Sequence, residues 1–293
     1  MVTLNRVKVF VLYHKQSRVF RSEAYEPLQT GCDQNAPIKG FLHDNDGVNI
    51  SDKNPWYAEL TGNYWVWKNY LPAHPETEYI GFCHYRRNWD FSKLGRTEDV
   101  GFVHKMTFSR FGRLFEHQSS ESFLLRILRG YDILLPEKWS VRAYNMTNFD
   151  AYKRGGHSIP ALNAFIDALS RRYSDCEEDT KSFLDGGEGY FCLNYIMRRE
   201  LFVDFMEWLF PILDDLEERF DWSINTSYAT QKSPAYIAER FFNVWLSNLC
   251  KKQSIRIIER RMLLLSNPSI SFYKQCFVDM LVRFYHQHIR RMG

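Results

Sequence analysis

The sequence predicts an α/β fold in which helices flank a mostly parallel β-sheet. Two short apolar runs, at residues 7–13 and 78–83, have the composition of buried strands. Helical periodicity occurs between such runs, and strands that alternate with helices form parallel sheets. The 293 residues are 45% hydrophobic, which is sufficient for a core, and they suit one large domain or one domain with a small appendage.

The individual elements follow from local patterns along the chain. After the first strand comes a stretch rich in Gly, Pro, Asn and Asp, which is typical of a loop. An apolar stripe at helical spacing then predicts a helix over 56–70, ahead of the second strand. Later patterns predict helices at 121–129, 160–173 and 233–249, strands at 131–135 and 254–260, and a Gly-rich turn leading into a strand and a helix from 184.

Composition excludes several classes of protein. The net charge of +3 arises from 38 basic and 35 acidic residues, whereas a nucleic-acid-binding protein usually carries a basic stripe. The 6 cysteines form no C-x-x-C pair and no zinc-site spacing with histidine, so we expect reduced thiols. The N-terminal apolar run is broken by Arg6 and Lys8, unlike a signal peptide, and no stretch approaches the ~20 apolar residues of a membrane span. We therefore expect a cytoplasmic protein without a nucleic-acid partner.

Aromatic residues make up 16% of the chain, an unusually high share. Their flat apolar faces bury well in a core, and they also stack on sugar rings and nucleobases. The enrichment favours a cleft for a sugar or a nucleotide without proving one.

Polar side chains follow both of the first two strands. Tyr13, His14 and Lys15 end the first strand, and the second strand, within YIGFCHYRRNWD at 79–90, runs into His84, Tyr85, Arg86 and Arg87. In open α/β sheets ligands bind at the carboxyl ends of strands, and the planar fork of arginine fits phosphate oxygens. The alternative is a surface loop whose arginines pair with carboxylates.

The loop HDNDGVNISDKNP at 43–55 offers a second candidate site. Asp44 and Asp46 have the D-x-D spacing of divalent-metal sites that clamp a diphosphate, although Asp, Asn and Gly also form ordinary turns. The aromatic helix that follows suggests instead a polar pocket for a nucleoside or a sugar. Both interpretations remain open from the residues alone.

Three further segments carry candidate residues. In DGGEGY, at 185–190, glycines allow close approach of a ligand to the backbone, or simply form a flexible turn. Glu239 stands on an otherwise apolar helix, where it either pairs with a cation or acts in acid/base chemistry. The tail 277–293 combines apolar residues at helical spacing with a cationic side, which is typical either of a helix attracted to anionic lipid or of a docked terminal helix.

Several of these motifs, in this order, resemble a family first known as a domain of unknown function and found in bacterial capsule and O-antigen loci. The motifs are YHK at 13–15, NISDKNPWYAELTGNYWVWKN from residue 49, YIGFCHYRR, NYIMRREL and AERFFNVWL. The resemblance implies a GT-A-like, Rossmann-like glycosyltransferase domain over 1–260, followed by a basic amphipathic tail over 261–293. It also implies transfer of a sugar, galactofuranose or another hexose, from a nucleotide donor, most simply a UDP-sugar.

The same resemblance implies roles for individual residues. Many GT-A enzymes carry Asp-x-Asp where this chain has His84-Tyr85-Arg86, so Arg86, Arg87 and His84 are expected to neutralise the diphosphate, which leaves a requirement for Mn²⁺ or Mg²⁺ in doubt. Glu239, with Glu188, is the candidate catalytic acid or base. The expected donor-binding residues are Tyr13, His14, Lys15, Asp44, Asp46, Asn49, Ser51, Asn54, Glu59, Trp67, His84, Tyr85, Arg86 and Arg87. The expected acceptor-binding residues are Asp185, Gly187, Tyr190 and His157.

The expected partners are therefore a nucleotide-sugar and a saccharide or lipid-linked glycan at the inner face of the membrane, where the tail 277–293 contacts anionic lipid. Two other classes stay open. One is a non-catalytic carbohydrate-binding module on the same fold. The other is a metal-dependent phosphohydrolase that uses Asp44, Asp46 and His84.

Overall fold

The computed structural model describes residues 6–91 and 104–267. Its strands are β1 Val7–Tyr13, β2 Tyr25–Gln29, β3 Leu42–His43, β4 Tyr79–His84, β5 Arg87–Asp90, β6 His104–Thr107, β7 Ile133–Pro136, β8 Trp139–Ser140, β9 Glu188–Gly189, β10 Tyr195–Arg198 and β11 Ile257–Ser266. Its helices are α1 Asn54–Tyr57, α2 Leu60–Trp65, α3 Leu71–Ala73, α4 Phe108–Gln118, α5 Glu121–Leu128, α6 Asn148–Arg154, α7 Ile159–Arg172, α8 Glu177–Asp185, α9 Arg199–Arg219, α10 Tyr228–Gln231 and α11 Ser233–Lys252.

The main sheet has a parallel part and a closed part. Strands β3, β2, β1 and β4 lie side by side and run parallel. Beyond β4, the strands β5, β11, β7 and β10 follow, and β10 returns to pair with β4. These five strands form a ring, hereafter the strand ring, in which β4 is shared with the parallel part.

The sheet is therefore mixed, and the prediction of a mostly parallel sheet is only partly correct. Within the described ranges, five pairings of this sheet are parallel and four are antiparallel. The β4–β5 connection contains only Tyr85 and Arg86, and such a short connection can join only antiparallel strands. A parallel crossover needs a dozen or more residues, which the spacing around β4 does not provide.

Both faces of the sheet are covered by apolar layers. Along β1, Phe10 and Leu12 point into the larger core, which is built with α2, α7, α9 and α11. Val9, Val11 and Tyr13 point into the smaller core, built with α4 and α5. Side chains alternate between the two faces of a strand, so a strand covered on both faces is apolar throughout, as β1 is.

Two predicted boundaries change. The helix expected over 56–70 is broken, because α1 ends at Tyr57 and the next residue, Ala58, has a φ of +46° that interrupts the helical geometry before α2 begins. The last strand extends to Ser266 and pairs with β5, β6 and β7, so a domain boundary at 260 cuts through it. The tail 277–293 lies outside the described residues. None of the helices in the described ranges combines the length and apolarity needed to span a bilayer.

Candidate active site

A cavity of about 440 Å³ opens at the carboxyl ends of β1, β2 and β4. This is the position that parallel α/β sheets favour for a ligand. Its wall consists of Leu12, His14, Thr30, Asn35, Asn54, Ala58, Glu59, His84, Tyr85, Arg86, Arg87, Tyr228 and Lys232. The structure thus brings together seven of the expected donor-binding residues, from three separate sequence motifs.

The cavity is basic. Arg86 and Arg87 stand at the tight β4–β5 turn, and Lys232 comes from the segment between α10 and α11. Among the residues that the structure describes, none of the three forms an ion pair with a carboxylate, whereas Lys232 lies over the ring of Tyr228 at 4.5 Å. These charges are therefore available to an anionic ligand, and guanidinium groups bind phosphate oxygens in bidentate geometry.

The turn that carries the arginine pair is anchored by backbone hydrogen bonds. The amide of Tyr85 donates to the carbonyl of Leu12 at 3.1 Å, and the amide of Leu265 in β11 donates to the carbonyl of Arg86 at 2.7 Å. Burial acts to lower the pKa of Arg87, but the negative charges around it, including those of Glu239 and Glu59, outweigh this effect and raise the pKa. Arg87 is therefore a permanently charged group set among carboxylates.

His84 is held neutral. Burial, with the nearby charge of Arg87, lowers the pKa of His84 to about 3. Its Nε2 lies 3.2 Å from the carbonyl oxygen of Cys192, and because a carbonyl oxygen only accepts, Nε2 carries the proton. A neutral imidazole adds no positive charge at neutral pH, so the expectation that His84 helps to neutralise a diphosphate is not supported.

Glu59 is the carboxylate of the cavity wall. It immediately follows Ala58, whose positive φ turns the chain from α1 into α2. Burial, reinforced by the charge of Glu239, raises the pKa of Glu59 to about 7. Within the described ranges no ion pair is made by this side chain. Glu59 is thus a half-buried carboxylate in the wall of a basic cavity, with a pKa close to neutral pH.

Glu239 has a different environment, which corrects its expected role as the free base. Its Oε1 accepts the backbone amide of Cys192, and its Oε2 accepts from Arg240 at 3.1 Å. The ion pair with a cation, the alternative to a catalytic role, is therefore present, and only 13% of the Glu239 side chain is exposed. Cys192 and Leu193 have φ values of +77° and +39°, uncommon for residues other than glycine. Glu239 thus holds a strained turn that also contacts His84.

Asp44 is completely buried and does not line the cavity. Its carboxylate accepts the amides of Gly31 and Cys32, at 2.8 and 3.0 Å, and the hydroxyls of Ser51 and Thr61, at 2.7 and 2.6 Å. Both oxygens are occupied by protein donors, so the predicted ligand role of Asp44 is wrong. Ser51 is buried in the same hydrogen-bond network, so its predicted role in donor binding is wrong as well.

The other members of the predicted donor set lie outside the cavity wall. Asp46 is exposed, and its carbonyl accepts from the indole of Trp65. Asn49 bonds to backbone groups of its own loop, and Trp67 stacks on Phe210 of α9 at 5.8 Å. Lys15 is exposed beside the site. Tyr13 is fully buried and supports the site indirectly, because its ring stacks under that of Tyr85 at 5.5 Å.

The predicted acceptor residues do not line the cavity either. Asp185 and Glu188 are exposed near the small β8–β9 sheet, and Gly187 is buried where an added Cβ meets Arg142 at 2.4 Å. Tyr190 donates its hydroxyl to Glu259 at 2.6 Å. His157 packs against Tyr236 with ring centres 4.0 Å apart. The contacts of Gly187, Tyr190 and His157 explain these three residues as structural ones, and Glu188 does not line the cavity.

Sequence reasoning missed several lining residues. Thr30 and Asn35 follow β2, a strand that the Gly- and Pro-rich composition concealed. Tyr228 begins the short helix α10 and Lys232 directly follows it, and neither position carries a strand-end signal. A positive φ at Ala58 has no sequence signature at all. No group of three or more His, Cys, Asp and Glu side chains suited to a metal ion occurs within residues 6–91 and 104–267.

The fold and the cavity together define an α/β protein with a basic binding site at the ends of parallel strands. The family model described as a domain of unknown function, DUF4422, matches residues 8–252, and the chain therefore belongs to the DUF4422 family. The apo structure of the WbbM bifunctional glycosyltransferase is similar, with a TM-score of 0.79 and 34% sequence identity. The similarity covers 90% of this chain but only 46% of that one. No curated protein sequence matches.

Proposed function

We propose that this protein is a glycosyltransferase that uses a nucleotide-sugar donor in polysaccharide synthesis. The observation that carries the proposal is the group of cations, Arg86, Arg87 and Lys232, which form no ion pair within residues 6–91 and 104–267 and share one cavity with Glu59. Such a site offers what glycosyl transfer needs: fixed positive charge for the leaving diphosphate and a carboxylate near the reacting centre. The similarity to a bifunctional glycosyltransferase at 34% identity supports the same class.

The donor is proposed to lie with its diphosphate against Arg86 and Arg87. Charge develops on the leaving phosphate oxygen as the glycosidic bond breaks, and cations already positioned by the protein stabilise it without reorganisation. We propose a UDP-hexose as the donor and a saccharide or lipid-linked glycan as the acceptor, which enters beside Tyr228. Tyr228 is 69% exposed at the cavity wall and offers a flat face on which a sugar ring can stack.

Binding of nucleotides tests this proposal directly. The stability of the protein is measured by thermal shift with UDP, GDP, CMP and TDP and their sugars, each with and without Mn²⁺. We expect one nucleotide series to raise the melting temperature, because a ligand that binds only the folded state stabilises it by mass action. Stabilisation by free sugars without any nucleotide preference would instead indicate a carbohydrate-binding module.

The variant Arg86→Gln tests the proposed contact with the diphosphate, and Arg129→Gln is its control. Loss of a charge-assisted contact to phosphate is expected to weaken binding of the selected nucleotide by roughly 10- to 100-fold in calorimetry. Arg129 is an exposed arginine at the end of α5, outside the cavity, so its substitution is expected to leave the dissociation constant unchanged. Equal affinity in Arg86→Gln and Arg129→Gln would contradict the proposed diphosphate site.

The phosphohydrolase alternative is not favoured by the contacts of its proposed residues. It needs Asp44 and Asp46 to share a metal ion, yet the Asp44 carboxylate is fully buried and bonded to four protein donors. The imidazole of His84 uses its protonated nitrogen on the carbonyl of Cys192.

A further inference from the structure

We propose that Glu59 is the general base that takes the proton from the acceptor hydroxyl. The inference rests on the proposed glycosyl transfer and assigns one step of it to a specific side chain. It also replaces Glu239, the base expected from the sequence, whose oxygens are both engaged by protein donors.

The position of Glu59 suits a base. It lines the same cavity as Arg86, Arg87 and Lys232, the space in which donor and acceptor are proposed to meet. Its backbone is fixed, because its carbonyl accepts the amides of Gly62 and Asn63 at 3.1 and 3.3 Å, in the first turn of α2. A base on a fixed backbone is held in place for proton transfer.

The local strain points to the same residue. Ala58, directly before Glu59, adopts φ +46° and ψ −122°, a region that residues with a side chain rarely occupy. The conformation is locked by the amide of Ala58, which donates to Asn54 at 2.8 Å, and by the side-chain amide of Asn54, which donates back to Ala58 at 2.7 Å. Glu59, which lines the cavity, therefore directly follows a fixed break between α1 and α2.

Burial and the surrounding charges give Glu59 a pKa that suits a general base. Burial and Glu239 of α11 raise its pKa to about 7, against the opposing effects of Arg87 in β5 and Lys232. Cys192, Tyr195 and Tyr236 are also titratable neighbours, and burial, with a smaller contribution from the negative charge of Glu59, raises the pKa of all three. A base with a pKa near the working pH is the most effective one.

The histidines of the cavity do not provide an alternative base with the same pH dependence. The pKa of His84 falls to about 3, because of burial and Arg87. The pKa of His14 is also lowered, through partial desolvation and the charges of Lys15, Lys232 and Arg86. Both histidine pKa values are lowered whereas that of Glu59 is raised, so we assign a kinetic transition near pH 7 to Glu59.

The proposed step is a single displacement. The acceptor oxygen forms a bond to the anomeric carbon while its proton passes to the Glu59 carboxylate. The bond between the anomeric carbon and the phosphate oxygen breaks, and its electron pair leaves with the nucleoside diphosphate, which Arg86, Arg87 and Lys232 hold. Glu59 then returns its proton to solvent. The displacement inverts the anomeric configuration.

The test compares wild type with Glu59→Gln, Glu59→Asp and the control Glu116→Gln. UDP release from UDP-hexoses is followed between pH 6 and 8.5, with water as the acceptor, and UDP binding is measured by calorimetry. Glu116 is an exposed carboxylate on α4 outside the cavity, so its variant is expected to match wild type.

For Glu59→Gln we expect kcat to fall at least about 100-fold, the typical contribution of a general base. In wild type kcat is expected to rise with pH to a plateau through a midpoint near 7, and in Glu59→Gln this rise disappears. Above pH 7 the variant binds UDP as tightly as wild type or more tightly, because a negative charge beside the phosphates is removed. A residue that only supports the fold cannot produce tighter binding together with slower turnover.

The remaining outcomes separate the two proposals. Glu59→Asp keeps the charge, so it is expected to lower kcat and retain the pH dependence. Wild-type turnover with an unchanged pH profile in Glu59→Gln overturns the assignment of the base while leaving the glycosyltransferase proposal intact. Absence of UDP and UDP-hexose binding to wild type overturns the proposed UDP-sugar function, and this inference with it.

Discussion

Asp44 illustrates how one carboxylate organises a loop without touching a ligand. Its two oxygens accept four hydrogen bonds, which join the chain after β2 to the hydroxyls of Ser51 and Thr61. Thr61 in turn accepts from Asn54, a cavity-lining residue, at 3.0 Å. Gly31, with φ +72°, passes so close to Asn54 that an added Cβ lies 2.5 Å from its amide oxygen. Asp44 therefore supports the cavity wall indirectly, through its hydrogen bond to Thr61 and the bond from Asn54 to Thr61.

The variants Asp44→Ala and Asp46→Ala test this structural role. Removal of Asp44 leaves buried donors unsatisfied, at about 1–3 kcal/mol for each group, so we expect a melting temperature lower by roughly 5–10 °C. Asp46 is exposed and contributes only its backbone carbonyl to Trp65, so Asp46→Ala is expected to melt within about 1 °C of wild type. Equal melting temperatures in differential scanning calorimetry would contradict the assigned role.

The sequence predicted those cavity-lining residues that lie at the ends of predicted strands. His14, His84 and Arg86 follow apolar runs, and topology alone predicts that such positions converge. Polar composition did not separate Asn54 and Glu59, which line the cavity, from Asp44 and Ser51, which are buried beneath it. That difference depends on which donors surround each side chain, and no spacing in a loop specifies them.

At the scale of elements, the strand ring is the feature that the sequence concealed. Its members β5, β7 and β10 have only four residues each, too few for a periodicity to distinguish their direction or partners. Asp132, just before β7, joins three of the strands. It accepts from Arg198 at the end of β10, at 2.8 Å, and from Arg256 before β11, at 3.1 Å. The Arg256 amide also donates to it, at 3.0 Å.

Acid titration of Asp132→Asn tests this junction. Hydrogen bonds from Arg256 and Arg198 hold the pKa of Asp132 well below its usual range of about 3.9. A depressed pKa gives stability that is fully present above the unfolded-state pKa and is lost as pH falls through the folded-state pKa. Asp132→Asn is therefore expected to melt several degrees below wild type at pH 7, with a smaller difference at pH 2–3.

The control for this titration is Asp167→Asn, an exposed position on α7. Its free energy of unfolding is expected to follow that of wild type at every pH. A parallel acid profile for Asp132→Asn and wild type would show that the junction contributes nothing to stability.

In the whole molecule the numbers of basic and acidic residues are nearly equal, at 38 and 35, but the charges are unevenly distributed. Cations gather in the cavity and, in the sequence, near the C-terminus. The region of similarity covers only 46% of the bifunctional glycosyltransferase chain, so membrane contact has to be tested on this chain itself. We propose peripheral association through residues 277–293.

Deletion of 277–293 is expected to abolish co-sedimentation with vesicles containing phosphatidylglycerol. The matched variant replaces Arg283, Arg290 and Arg291 by glutamine and keeps the apolar residues. Each cation near an anionic surface contributes about 1 kcal/mol, so we expect roughly 100-fold weaker binding in the triple variant. Vesicles of phosphatidylcholine alone serve as the neutral control. Unchanged sedimentation after deletion would exclude the tail as the contact.

The strand ring also imposes an order on biosynthesis. β5 and β7 are both completed by β11, and the amide of Leu265 in that strand secures the carbonyl of Arg86. A ribosome-bound chain that has not yet emerged as far as Ser266 leaves both of these strands with an open edge, a conformation prone to pairing with other chains. The arginine turn of the cavity thus acquires its last anchor, from Leu265, only after β11 has been translated.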